Sequence, residues 1–235
     1  MTEQLDPEDL PDAIAERARL AAELDEKARQ AFARNEPLVA TLHACDAVML
    51  APNERRHLDT FDEVVLSVQD PLQLVPIATG AIHVATAAGR ARVLMMQRNM
   101  GEAVDLLCRA IDVVPHVAYL DWIRRWFDVP HVLPSLSWEQ VFETVVKTCI
   151  NLVVDVPVPP ADDDPRLDNV RAAAQVMAKL RGHYPGQAVL YVGEVMARRR
   201  LGDAQATLAV AREGASQCGQ DWNDVCALTN AAADE

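Results

Sequence analysis

The feature that most restricts this chain is a spacing of small residues. Ala28, Ala40, Ala47 and Pro52 stand twelve, seven and five residues apart, and Ala91, Ala103, Ala110 and Pro115 repeat those intervals 63 residues later. Alanine on a helix face lets a neighbouring helix approach closer than leucine would, ridge into groove. Alanines seven apart lie two turns apart on one face. A proline five residues past the last alanine cannot continue the helix, so the chain turns there. The pattern predicts helical hairpins. The first alanine lies midway along one helix, the next two lie on its partner, and a turn leads into the following hairpin.

Composition agrees with helices. Half of the 235 residues are hydrophobic but only 5% are aromatic, which favours helices packed through small side chains over a β-sandwich. The chain carries 22 basic against 35 acidic residues, a net charge of −13. Phosphate backbones repel such a chain, so general nucleic-acid binding is excluded as an expectation. Residues 1–26 hold nine acids and two arginines, which reads as a solvated face. Near Met1 there is no basic stretch followed by an apolar core, and nowhere a run of about 18 apolar residues, so neither a secretory signal nor a membrane insertion is expected. Five scattered cysteines suit buried thiols in a reducing cytoplasm.

Prolines and capping residues divide the chain into about eleven helices with no sheet. They are expected over 13–34, 37–50, 54–68, a long pattern from about 77 to 99, 102–114, 116–128, a helix capped by Ser137, and 166–182, 187–201, 203–217 and 221–231. The stretch INLVVDVPV, 150–158, has the composition of a strand but no partner strand. Asp155–Pro165 holds four prolines and four aspartates and reads as an extended, solvated loop. The expected organisation is an acidic, flexible N-terminus over 1–11, a helical repeat region over 12–154, the loop over 155–165, and C-terminal hairpins over 166–235.

These spacings resemble the tetratricopeptide repeat, a helix–turn–helix unit of about 34 residues. Two units carry the signature, about 20–52 and 83–115. A weaker one, about 187–217, has the Leu201-Gly202-Asp203 turn but no proline after it, and Ala173, Leu180 and Pro185 form a further partial match. The tryptophan of the family's first helix is replaced by Leu24 and Ala87, and its turn glycine by Asn35 and Arg98. The resemblance implies an all-α solenoid of hairpins that binds a partner protein or peptide in a concave groove lined by first helices. An irregular helical bundle is the other reading of the same pattern.

Carried over position by position, the groove would present Asp25, Arg29, Phe32 and Ala33 in the first unit. In the second it would present Ala88, Arg92, Met95 and Met96, with Arg199 and Arg200 near the same level in the weaker hairpin. A groove with Arg29, Arg92 and Arg199 beside Phe32, Met95 and Met96 would take an acidic or amphipathic segment. Alternatively these arginines are ordinary solvated residues. The carboxylate clamp of chaperone-binding members is not expected, because Asp25 and Arg29 stand where it needs lysine and asparagine. Tyr119, Trp122 and Trp126 share one helix face, and either fill a core or form an exposed docking patch that includes Trp122 and Trp126.

No phosphate loop, zinc helix or C-x-x-C pair occurs, the six histidines are scattered, and the run Asp162–Asp164 lacks the alternating oxygen ligands and closing glutamate of a calcium loop. No cofactor, no metal and no enzyme activity are therefore expected. The expected role is that of a cytoplasmic adaptor or scaffold, in which homo-oligomerisation is compatible with the sequence. A secretion-type chaperone for one partner protein and an enzyme with an inter-helix active site are the alternatives.

Overall fold

The structure is a computed structural model, and it describes residues 10–75, 83–161 and 164–218. Among these residues the fold is all-α, without a strand. The chain forms two compact units, residues 1–113 and 114–235. The division falls at the end of the second clear hairpin, and the Asp155–Pro165 stretch lies inside the second unit.

The first unit contains α1 (Leu10–Ala33), α2 (Pro37–Leu50), α3 (Arg55–Leu66), α4 (Pro71–Leu74), α5 (Val84–Met96) and α6 (Met100–Val113). Pro37 opens α2, where its missing N–H leaves no partner unsatisfied. The central element is α2, which packs on α1, α3 and α5, while α5 pairs with α6. Ala28, Ala40, Ala47, Ala91, Ala103 and Ala110 are all fully buried, at 0% exposure, as close helix approach requires. A further close approach is set by Gly89. A Cβ there would lie 2.7 Å from Cys45 Sγ on α2 and 3.0 Å from the Phe61 ring on α3.

The turns that close the hairpins are alike. Asn35 and Arg98 adopt left-handed backbone, with φ of 61° and 62°. Asn35 N–H donates to Phe32 O at 2.9 Å and Glu36 N–H to Ala31 O at 3.0 Å. Arg98 N–H donates to Met95 O at 3.0 Å and Asn99 N–H to Leu94 O at 2.9 Å. This double bond pattern is the Schellman motif, which satisfies the orphan carbonyls of a helix end and reverses the chain.

The second unit contains α7 (Val117–Phe127), α8 (Val132–Ser135), α9 (Trp138–Val141), α10 (Lys147–Val154), α11 (Leu167–His183), α12 (Ala188–Arg200) and α13 (Ala204–Gln217). A π-helical turn, Phe142–Val146, joins α9 to α10 in one continuous helix. Here α11 packs on α7, α10 and α12, and α12 pairs with α13. Gly202, at φ 70°, closes that last pair with the same motif: Gly202 N–H donates to Arg199 O at 2.9 Å and Asp203 N–H to Arg198 O at 3.0 Å. The turn residue gives a common register. Seven residues before it stand Ala28, Ala91 and Val195, five after it Ala40, Ala103 and Thr207, and twelve after it Ala47, Ala110 and Gly214, and all nine are buried. The weaker hairpin thus follows the same layout with other small or β-branched residues.

Several expectations are corrected. The short helices α4 and α8 add to the eleven expected elements, because single helical turns beside prolines carry too little periodicity to read, and the helix capped by Ser137 runs through α9, the π turn and α10. The strand-like composition of INLVVDVPV does not make a strand, as expected: residues 150–154 belong to α10, in which Cys149, Leu152 and Val153 are buried. The Asp155–Pro165 stretch is not simply solvated. Val156 is buried, Arg166 Nη1 donates to Asp155 O at 2.7 Å, and Arg200 Nε donates to Val156 O at 2.7 Å. The expected helix over 221–231, the start of the long pattern at 77–82 and residues 1–9 lie outside the described residues. Among those described, no helix is long and apolar enough to cross a membrane.

Candidate functional site

Asp25, Arg29, Phe32 and Arg92, four of the expected groove residues, contact α3. Asp25 on α1 is fully buried. One turn along its own helix, Arg29 Nε lies 3.2 Å from Asp25 Oδ2, and Arg56 Nε of α3 lies 3.1 Å from the same oxygen. His57 Nδ1, also from α3, lies 3.4 Å from Asp25 Oδ1. None of these contacts has hydrogen-bond alignment, so the carboxylate is held by charge. Arg29 also donates to Thr60 Oγ1 at 2.9 Å. On the far side of α3, Arg92 of α5 grips Asp62 with both edges, Nε to Oδ1 at 2.6 Å and Nη2 to Oδ2 at 2.5 Å. The bidentate fork is the strong form of such a pair.

Arg29, about half exposed, and Arg92, about a quarter exposed, are both engaged by acids within the unit. Each is a tie from its helix to α3, and its charge is matched by Asp25 or Asp62. Phe32 packs against a small cluster of Ala31, Ala40 and Val64. Met95 is half-buried and Met96 is exposed.

The second unit repeats the device. Glu194 on α12 is buried, with Arg198 one turn along its own helix at 3.2 Å and Arg181 Nε of α11 at 3.1 Å. Arg181 also pairs with Glu213 and lies 5.2 Å from the centre of the Tyr191 ring. Burial works against the Arg181 charge, but Glu194 and Glu213 outweigh it and hold the guanidinium more firmly protonated than usual. Arg199 is half-buried.

The aromatic residues divide into two sets. His116, Tyr119, Trp122 and Trp126 stack along α7, with centroids 5.5, 5.4 and 6.3 Å apart in turn. Trp122 and Trp126 are buried, so the proposed docking patch is corrected: these indoles fill a core and offer no surface. The second set was not assembled from the sequence. Trp138 lies 5.9 Å from Phe142 and 5.3 Å from Tyr184, and His183 meets Tyr184 edge-on at 4.6 Å. Trp138, Phe142 and Tyr184 are half-buried and His183 is exposed. Trp138 and Tyr184 are 46 residues apart, and no spacing rule links them.

No family model, curated protein or solved structure matches this chain. Burial pushes the Cys45 thiol up, so it stays protonated and unreactive beside Gly89 and Phe61. Among the described residues no three His, Cys, Asp or Glu side chains converge as metal ligands. The two buried carboxylates are enclosed by guanidiniums, an arrangement that ties helices together.

Among the described residues of the first unit, α2 carries three exposed apolar side chains close together. Leu38, Val39 and Leu42 of α2 are 47%, 42% and 40% exposed. Leu38 and Leu42 lie one turn apart, and half-buried Met49 continues their line. A helix packed on three neighbours is expected to be apolar over much of its circumference, but this stripe faces none of them with its full area.

Proposed function

We propose that this protein is an adaptor built from tetratricopeptide-like hairpins, and that it binds an amphipathic segment of a partner protein along the exposed stripe of α2. The observation that carries the reading is the exposure of Leu38, Val39 and Leu42 on a helix whose opposite face, Ala40, Thr41, Ala44, Cys45, Ala47 and Val48, is buried. Contiguous exposed apolar surface costs solubility and marks an interaction site when it persists. A partner helix with apolar residues three and four apart would cover it. The repeated spacing and the three like turns support the hairpin assignment. The engagement of Arg29 and Arg92 by internal acids argues against an acidic segment in a first-helix groove. Unbridged thiols at Cys45, Cys108, Cys149 and Cys218 are consistent with work in the cytoplasm.

The test places a photo-crosslinking amino acid at Val39 of the full chain in its native cells, with Arg55, 90% exposed in its side chain, as the control position. The adaptor reading expects an adduct with a different protein from Val39, none from Arg55, and loss of the adduct when Leu38→Glu and Leu42→Glu are added without change in helix content. Adducts only with a second copy, or no adduct, would replace it with self-association or with a role elsewhere on the chain. Substrate turnover by the purified protein, abolished by one substitution, would establish an enzyme instead.

A further inference from the structure

We infer that Trp138, Phe142 and Tyr184 form a seat for an arginine or lysine side chain of a partner protein. The inference rests on the adaptor reading for its partner and on a separate set of residues for its site. Tyr119, Trp122, Trp126, Phe127 and Tyr191 in this unit are buried, whereas these three rings keep part of their surface in solvent. The backbone under Trp138 and the Tyr184 hydroxyl are also anchored. Ser137 Oγ caps the helix under Trp138 by accepting the Gln140 N–H at 3.1 Å. The Tyr184 hydroxyl donates to Leu136 O at 3.3 Å, with Leu133 O at 3.5 Å. Rings held rigid before binding lose little entropy on binding.

The charge around the rings selects the ligand. Trp138 and Phe142 form one ridge of the helix, four residues apart, and Glu139 and Glu143 form the next ridge at the same interval. Glu143 is paired with Lys147, and the Lys147 ammonium lies 5.6 Å from the centre of the Phe142 ring. The protein thus already places one cation on this surface. Glu139 is exposed and makes no ion pair among the described residues. Ring faces are electron-rich and attract ammonium and guanidinium groups but not carboxylates. With −13 on the chain, a cation laid across Trp138 and Tyr184 gains from the rings, from Glu139 and from the long-range field together.

The seat is tested on the 15N-labelled full chain by following indole N–H resonances, with Trp138 assigned from Trp138→Phe. The probe is a capped Gly-Arg-Gly-Arg-Gly peptide, compared with the same peptide carrying neutral citrulline for arginine and with free arginine amide. The expected result is a saturable shift of the Trp138 resonance by the arginine peptide, with the Trp122 and Trp126 resonances unmoved. The citrulline peptide and Glu139→Gln should each weaken binding by about threefold or more, the scale of one cation–π or surface charge contact. Glu139→Lys should abolish it. Absence of a saturable shift at millimolar peptide, equal binding of the citrulline peptide, or unchanged binding by Glu139→Lys would overturn the inference. Equal affinity for free arginine amide would also overturn it, since the site would then be one for a small cation. Failure here with the Val39 adduct intact leaves the adaptor standing. Peptide binding without any Val39 adduct would remove the α2 docking face alone.

Discussion

His57 Nδ1 lies 3.4 Å from Asp25 Oδ1, with both side chains buried, and this contact joins α3 to the first hairpin. The guanidiniums of Arg29 and Arg56 also lie against the same carboxylate, with roughly half of each side chain exposed. Asp25→Asn keeps the shape and removes the charge. Breaking a buried pair typically costs 3–5 kcal/mol, and water access to the two guanidiniums reduces that here to about 2–3 kcal/mol. We expect a lower urea midpoint with an unchanged slope for Asp25→Asn, and a similar loss for Asp25→Ala. An Asn variant as stable as the native chain would show that shape at this position matters and charge does not.

The turn residues give a test of opposite sign. Arg98 holds φ 62° with an exposed side chain, a conformation costing about 1–2 kcal/mol for most residues. Arg98→Gly should therefore stabilise the protein, by about 1 kcal/mol after the greater freedom of glycine in the unfolded chain is subtracted. Asn35→Gly should gain less, because asparagine tolerates this region, and Gly202→Ala should lose stability. Thermal midpoints in the order Arg98→Gly, Asn35→Gly, native, Gly202→Ala, highest first, would bear out the shared turn. A destabilised Arg98→Gly would contradict it.

The same turns show what could be read from the chain alone. Prolines, alanine intervals and the Asn35 and Arg98 positions place the hairpins, because each is a local rule acting within a few residues. The partners of Arg29 and Arg92 were out of reach, since Thr60 and Asp62 lie 31 and 30 residues away and on another helix. A cation on an exposed-looking stripe reads as solvated until the facing helix is known. Trp122 and Trp126 carried the same ambiguity, as one amphipathic face suits a core or an interface equally. The Trp138–Tyr184 contact is a tertiary event that joins the start of α9 to the end of α11, and the sequence between them carries no mark of it.

Asp164 supplies a pH test. The Arg166 side chain, hydrogen-bonded to it, and then the Arg166 backbone N–H hold the Asp164 carboxyl below the ordinary aspartate value. A folded pKa below the unfolded one stabilises above the unfolded value, and that stabilisation is lost as pH falls through the folded value. We expect a carboxyl-carbon NMR titration of Asp164 with its midpoint below that of a free aspartate, moving up towards it in Arg166→Gln. The stability difference between the native chain and Arg166→Gln should be present at neutral pH and should shrink as the solution is acidified past that midpoint. A normal titration of Asp164 in the native chain would break the link.

Gly214 stands where Ala47 and Ala110 stand in the other hairpins, and the reason is Tyr191. A Cβ on Gly214 would lie 2.8 Å from both Tyr191 Cβ and Cγ, atoms at the root of a buried side chain that cannot swing aside. Within a helix, Gly→Ala ordinarily gains about 1 kcal/mol from propensity, so the sign of the substitution reports the space available. At Gly182, near the end of α11, nothing lies within 4 Å of the added carbon, and Gly182→Ala should stabilise. Gly214→Ala should instead destabilise by about 1–3 kcal/mol, the usual cost of overpacking. Denaturant midpoints moving in opposite directions for the two variants would establish that α13 is held against α12 by contact at Gly214. Stabilisation by both would show that the helices can separate without loss.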